Sequence, residues 1–170
     1  HPQMVERLVV LNTAAFAADR IPFRIALCGM PLVGPLIVRG LNGFARPATS
    51  MAMRRRSLTP DERRGYLFPY DSWMNRVAVD AFVRDIPLKP AHRTWPILAE
   101  VEQGLGQFCD HEALIVWGGR DFCFNDYFLG RWREIFPQAA VHRIEDAGHY
   151  VLEDARDEAV PRIAEFLAGG

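Results

Sequence analysis

The chain has 170 residues and a formal net charge of −1, with 49% hydrophobic and 24% charged residues. This length suits one domain with a substantial core, and the charge gives no reason to expect nucleic acid or an anionic membrane as a partner. Three cysteines without CxxC spacing indicate free thiols in the cytoplasm, and neither a metal nor a cofactor is expected. No apolar run reaches the roughly 18 residues of a membrane span, so stable membrane insertion is not expected either.

The first part of the chain predicts one strand and then an irregular segment. Residues 7–12, RLVVLN, form a short apolar run with β-branched residues, which is typical of a buried parallel strand. Residues 21–43 are interrupted by several glycines and prolines, so short helices without a long regular element are expected there.

Two helices are predicted next. Thr59, Pro60 and Glu62 have the pattern of an N-cap, a first-turn proline and a capping-box acid, which predicts a helix to about Phe68. A second helix is predicted over residues 72–85 because apolar residues recur there at helical spacing: Met74, Val77, Ala78, Ala81 and Phe82. The two helices together would make a lid-like block.

The second half of the chain alternates between helix and strand patterns. Helices are predicted over residues 97–107, 128–136 and 160–167, with strands over residues 113–117 and 140–144 between them. Together with the first strand, this alternation is typical of an α/β protein with a parallel sheet.

Three polar residues follow the predicted strands and are candidates for chemistry. Ligands of open α/β sheets bind beyond the carboxyl ends of the strands, and Asn12, Asp121 and His149 all lie at such ends. A carboxylate beside a histidine can hold one ring nitrogen protonated, which leaves the other free as a general base. Asp121 alone could be a turn former and His149 alone a surface residue, but their joint placement favours the catalytic interpretation.

Four further residues near this pair have two interpretations each. Phe122, Phe124 and Tyr150 are candidates for the wall of an apolar substrate pocket, or for ordinary core packing. Asn12 could also touch the pocket, although a structural hydrogen-bonding role is favoured because an amide cannot act as the acid.

These motifs resemble a known family. LIVWGGRDFCF followed by VHRIEDAGHYVLEDA resembles the C-terminal signature of the α/β-hydrolases, whose chain order is nucleophile, acid, histidine. The resemblance implies a partial α/β-hydrolase fold, the C-terminal half of a mostly parallel sheet with a helical cap insertion. Residues 1–20 and 91–170 would belong to the core and residues 21–90 to the cap. Asp121 matches the triad acid, and His149 matches the triad base.

The aromatic-rich segments are most similar to the haloalkane dehalogenase-like branch, including the relatives that open and decarboxylate β-lactones. The resemblance implies two-step hydrolysis of a small apolar substrate, a haloalkane or a β-lactone. No G-x-S-x-G or G-x-D-x-G elbow occurs in the sequence, so the nucleophile is expected outside this chain and the chain alone is expected to be inactive. A serine-type esterase or lactone hydrolase and a non-catalytic fragment that binds a ligand or partner remain alternatives.

Two surface features complete the sequence-based expectations. The strand over residues 7–12 looks central, yet nothing in the chain would pair with its other edge. A complementary N-terminal half or another copy is therefore expected to cover it. The arginines of the basic cluster are expected on a solvated face of a cap helix: Arg54, Arg55, Arg56, Arg63 and Arg64.

Overall fold

The structure, a computed structural model, describes residues 1–18 and 22–169, which form two compact units. The core unit comprises His1–Phe16, Ala52–Arg56 and Glu100–Gly170, and the helical unit comprises Ala17–Met51 and Ser57–Ala99. The boundary predicted after residue 20 lies outside the described residues.

The described residues contain three strands and nine α-helices, joined by shorter helical turns. The strands are β1 (Arg7–Leu11), β2 (Glu112–Gly118) and β3 (Ala140–Ile144). No helix of the described part combines the length and the apolar character that crossing a membrane requires. In chain order the helices are α1 (Phe23–Cys28), α2 (Val33–Pro35), α3 (Ala45–Met51), α4 (Pro60–Leu67), α5 (Val77–Asp85), α6 (Trp95–Gly104), α7 (Asp126–Ile135), α8 (Val151–Asp154) and α9 (Arg156–Ala168).

The core unit is built on a parallel sheet with strand order β1-β2-β3. Leu11 pairs with Val116, and Gly118 pairs with Ile144, so the carboxyl ends of all three strands lie at one edge. The predicted parallel α/β sheet is therefore confirmed. Helical crossovers place the loops that follow β2 and β3 side by side at this edge, which is where the candidate residues occur.

β2 is the most deeply buried strand because it has a neighbour on each side. Every residue from Ala113 to Gly118 is buried or nearly so, which explains its continuous apolar run. Leu114 and Val116 point to one face of the sheet. They pack in a cluster with Ala155, which precedes α9, and with Ala159, which lies within α9. This packing fixes the closing helix against the sheet.

The closing helix begins earlier than its sequence pattern predicts. It was expected over residues 160–167, but α9 starts at Arg156 and holds Pro161 in its interior. Asp157 and Glu158 lie in its first turn, where negative charge favours the helix N-terminus. The apolar pattern missed this polar first turn because periodicity reports only the packed part of a helix.

The helical unit has a small core of its own. Cys28, Val38 and Val83 are buried together, with partly buried neighbours around them. α4 has the predicted capping box: the Glu62 amide donates to Thr59 Oγ1 at 3.2 Å, and the Thr59 amide donates to Glu62 Oε2 at 2.8 Å. The sequence signal for this helix start is confirmed.

The second predicted helix is shorter than expected, and its apolar stripe is not buried. α5 begins at Val77 because residues 71–76 form bends and turns, in which the Asn75 amide donates to Ser72 Oγ at 3.2 Å. The side of α5 that carries Asp80 and Val83 is buried instead. All five residues of the predicted stripe are exposed, from Met74, Val77 and Ala78 to Ala81 and Phe82.

Candidate active site

The structure brings Asp121 and His149 together at the carboxyl edge of the sheet. His149 Nδ1 lies 2.8 Å from Asp121 Oδ2, although the residues are 28 positions apart in the chain. The Asp121 side chain is 0% exposed and the His149 side chain is 27% exposed. An ionised carboxylate can only accept a hydrogen bond, so this geometry assigns the proton to Nδ1. The second ring nitrogen, Nε2, is then the one available for chemistry.

Asn12 holds the Asp121 carboxylate from the end of β1. Its Nδ2 donates to Asp121 Oδ2 at 2.8 Å, and its Oδ1 accepts from the Gly118 amide at 2.7 Å. The Cys123 amide donates to the other carboxylate oxygen, Oδ1, at 2.6 Å. Buried carboxylates require such donors, since an unsatisfied charge is costly away from water. Asn12 thus links two strand ends to the candidate acid.

The loops after β2 and β3 approach each other backbone to backbone. The Arg120 amide donates to the Ala147 carbonyl at 2.8 Å. A Cβ atom on Gly118 would lie 2.2 Å from the Gly148 carbonyl oxygen, so only glycine permits this approach. Gly118 therefore allows the close approach of the loops that carry Asp121 and His149.

Aromatic rings surround the His149 imidazole. The ring centroids of Phe122, Phe124 and Tyr150 lie 6.3, 5.6 and 5.8 Å from it. Phe124 also packs edge to face on Phe128 of α7, with centroids 5.0 Å apart. The candidate base therefore lies among apolar rings, beside a carboxylate that is fully enclosed.

The chain is similar in sequence to curated proteins of known activity. No family model matches the chain. It is 41% identical over 170 residues to cis-3-alkyl-4-alkyloxetan-2-one decarboxylases of Shewanella oneidensis and Xanthomonas campestris pv. campestris. Each match includes 98% of this chain, together with 54% of the Shewanella protein and 56% of the Xanthomonas protein. The chain thus spans about half the length of these curated relatives.

Solved structures decide the fold. The crystal structure of the haloalkane dehalogenase DbeA from Bradyrhizobium elkani matches with a TM-score of 0.80 at 19% identity, covering 99% of this chain and 60% of that one. The chain has an α/β-hydrolase fold. The predicted resemblance to the haloalkane dehalogenase-like branch and its β-lactone decarboxylase relatives is confirmed.

Cys123, two residues after Asp121, has a thiol whose pKa is shifted. Burial and, secondarily, the negative charge of Asp121 raise the pKa of Cys123 to about 12. The Cys123 thiol therefore stays protonated at neutral pH and is a poor nucleophile. Among the described residues, no group of three or more His, Cys, Asp or Glu side chains is arranged to hold a metal ion.

Asp154 is an organising residue of this edge whose role the sequence did not reveal. Its side chain is buried, with the residue only 2% exposed. Its carboxylate accepts hydrogen bonds from four backbone amides, those of Gly148 and Arg54 at 2.7 and 2.8 Å and those of Arg55 and Arg56 at 3.0 and 3.1 Å. The only sequence signal was an acidic residue five positions after the candidate catalytic histidine.

The predicted exposed helix face is right for residues 63–64 of the basic cluster, which are exposed on α4, and wrong for residues 54–56. Residues 54–56 lie outside any helix, within the core unit, because Asp154 binds their backbone. Arg55 pairs with Asp146 at 2.6 Å and with Glu158 at 2.9 Å, and these bonds raise its pKa. The expected solvated helix face is therefore, in this part, an ion-paired loop.

Proposed function

We propose that this chain supplies the acid and the histidine of a nucleophile–acid–histidine triad that acts on a β-lactone, with Asp121 as the acid and His149 as the histidine. The 2.8 Å bond between His149 Nδ1 and Asp121 Oδ2 carries the proposal. The substrate class follows from the 41% identity to decarboxylases whose names specify cis-3-alkyl-4-alkyloxetan-2-one. The nucleophile would lie outside this chain, whose sequence contains no elbow motif.

The chemistry of the substrate defines what His149 must do. When a carboxylate nucleophile attacks C4, the saturated ring carbon bonded to the ring oxygen, the C4–O bond breaks, and an enzyme ester and a free substrate carboxylate form. Loss of CO₂ from that carboxylate then makes the carbon–carbon double bond and returns the nucleophile. Neither water nor a net proton is consumed. His149 would therefore hold a proton on Nε2 at the departing ring oxygen, and Asp121 would stabilise the imidazolium.

The surroundings of the pair suit an apolar substrate. Phe122, Phe124 and Tyr150 have their rings within 6.3 Å of the imidazole, and we propose that they contribute to the pocket wall. Exclusion of water by alkyl chains and aromatic rings would strengthen the interaction between the imidazolium and the departing oxygen. The helical unit would serve as the cap, and the three thiols fit the predicted cytoplasmic location.

Product analysis tests the reaction. The protein expressed from its complete coding sequence is incubated with a cis-3,4-dialkyl oxetan-2-one in ¹⁸O-labelled water, and the products are identified by mass spectrometry. Decarboxylation gives an alkene and CO₂ and no hydroxy acid, whereas hydrolysis gives a 3-hydroxy acid that carries ¹⁸O. The same protein is assayed against a 1-haloalkane and a p-nitrophenyl ester. Turnover of only the ester would support the serine-type alternative and overturn the β-lactone proposal.

The free edge of β1 is the place where a partner strand is expected. In the sheet of the described residues, β1 pairs with β2 alone, and Val10 on it is buried. We propose that a complementary N-terminal half, or another copy, adds a strand at this edge. Hydrogen exchange of the β1 amides that do not bond to β2, in the protein from its complete coding sequence, tests this: exchange as fast as in a peptide at these amides would contradict the added strand.

A further inference from the structure

The loop that carries His149 is fixed on both sides by one short segment of the chain. The Tyr150 amide donates to the Ala52 carbonyl at 3.1 Å. A Cβ atom on Gly148 would lie 2.5 Å from the same carbonyl oxygen, so the two backbones are in close contact. Residues 52–56 all belong to the core unit. The position of His149 therefore depends on where this segment lies.

Asp154 joins the same loop to the same segment through its side chain. Its Oδ2 accepts from the Gly148 amide at 2.7 Å and from the Arg54 amide at 2.8 Å, so one oxygen bridges the two backbones. Its Oδ1 accepts from the Arg55 and Arg56 amides at 3.0 and 3.1 Å. Four amides donating to one buried carboxylate make a rigid, charge-assisted connection.

We propose that Asp154 is a positioning residue that holds His149 at hydrogen-bonding distance from Asp121. The inference rests on the proposed function for its catalytic consequence, but its structural part does not. A neutral amide at residue 154 would have only one accepting oxygen, and its NH₂ group would face backbone N–H donors. The loop would then move away from the 52–56 segment, and the Nδ1–Oδ2 distance would lengthen.

The test compares Asp154→Asn with Asp157→Asn, the same chemical change at an exposed position in the first turn of α9. Both variants are made in the protein expressed from its complete coding sequence. The low-field proton NMR signal of His149 Nδ1–H, assigned by its loss in His149→Ala, reports the bond to Asp121 without any substrate. kcat and KM for the β-lactone report the catalytic consequence.

In Asp154→Asn we expect the His149 signal to shift upfield or disappear. We also expect kcat to fall about 100-fold with KM within threefold, since misplacement by about 1 Å has costs of that order. Asp157→Asn should retain both. A wild-type NMR signal in folded Asp154→Asn would overturn the proposal, and so would a kcat loss no larger than the loss of folded protein. If wild-type protein shows no turnover, the proposed function fails, while the NMR result still decides the role of Asp154.

A second variant keeps the test informative if Asp154→Asn does not fold. Gly148→Ala leaves the carboxylate in place but introduces the Cβ atom that would lie 2.5 Å from the Ala52 carbonyl oxygen. It should produce the same change of the His149 signal and the same split between kcat and KM. A wild-type signal in folded Gly148→Ala would show that the loop position is set elsewhere and would overturn the proposal.

Discussion

Buried carboxylates are held differently in the core unit and in the helical unit. Asp121 and Asp154 accept hydrogen bonds from donors that lie as many as 109 and 100 positions away in the chain. Asp80 in the helical unit is equally buried, but it bonds to Arg84, one turn along the same helix, at 2.7 Å. Its Oδ1 has no hydrogen-bond partner among the described residues. Polar groups at the candidate site are thus positioned by tertiary structure, whereas Asp80 depends on its own helix.

The largest expected effect is on turnover at the core-unit pair. His149→Ala and Asp121→Asn should each lower kcat for the β-lactone by on the order of 10⁴-fold, as changes in comparable triads do. Steady-state assays of the protein from its complete coding sequence check this, with Arg84→Ala in the helical unit as the contrast. Undiminished turnover in both core variants would show that Asp121 and His149 have no catalytic role.

The second-largest effect is expected from core packing, which should stabilise the core unit more than the helical unit. Ile115 of β2 is fully buried, so Ile115→Ala should lower the free energy of unfolding by roughly 2–5 kcal/mol. Val83→Ala removes less buried volume from the small core of the helical unit and should mainly accelerate hydrogen exchange within α5. Urea denaturation and hydrogen exchange measure these effects. If Val83→Ala lowered the unfolding free energy as much as Ile115→Ala, the packing of the helical unit would contribute as much to the stability of the whole protein as the packing of the core unit.

Two substitutions can measure the difference between the long-range hydrogen bonds of Asp121 and the bond that Asp80 makes within its own helix. Asn12→Ala removes the amide that bonds Asp121 and Gly118, so unfolding should become easier by about 1–3 kcal/mol. Asp80→Asn keeps an acceptor for Arg84 and should change the unfolding free energy by less than about 1 kcal/mol. Urea midpoints give both values. The reverse order would mean that Asp80 has a long-range role and that the contrast between the units is wrong.

The smallest effect is expected at the cap of α4. Thr59→Ala removes the hydroxyl that accepts from the Glu62 amide and should destabilise this helix by about 1 kcal/mol. Because the capping box is local, faster exchange should be confined to residues 60–67, which hydrogen-exchange mass spectrometry can resolve. Thr59→Ser keeps the hydroxyl and is the matched control. Faster exchange in β2 as well would show that the helical unit is coupled to the core more tightly than its local bonds indicate.

Local patterns in the sequence were enough to predict the parallel sheet and the capping box of α4. The continuous apolar run of residues 113–117 predicted β2, because a strand buried on both faces needs apolar residues on both. The chain order and the strand-end positions of Asp121 and His149 also predicted which residues to examine. The α/β-hydrolase resemblance rested on the same short segments, and comparison with known proteins confirms it.

Tertiary structure alone decided which faces are buried and how the candidate acid and base are held. Helical spacing predicted the apolar stripe that includes Phe82, yet the opposite side of α5 is buried, since periodicity gives the shape of a helix and not its neighbour. The bonds of Asn12 to Asp121 and of Asp154 to residues 54–56 join segments about 100 positions apart. No local pattern encodes such contacts, because they arise only when separate strand ends meet at one edge of the sheet.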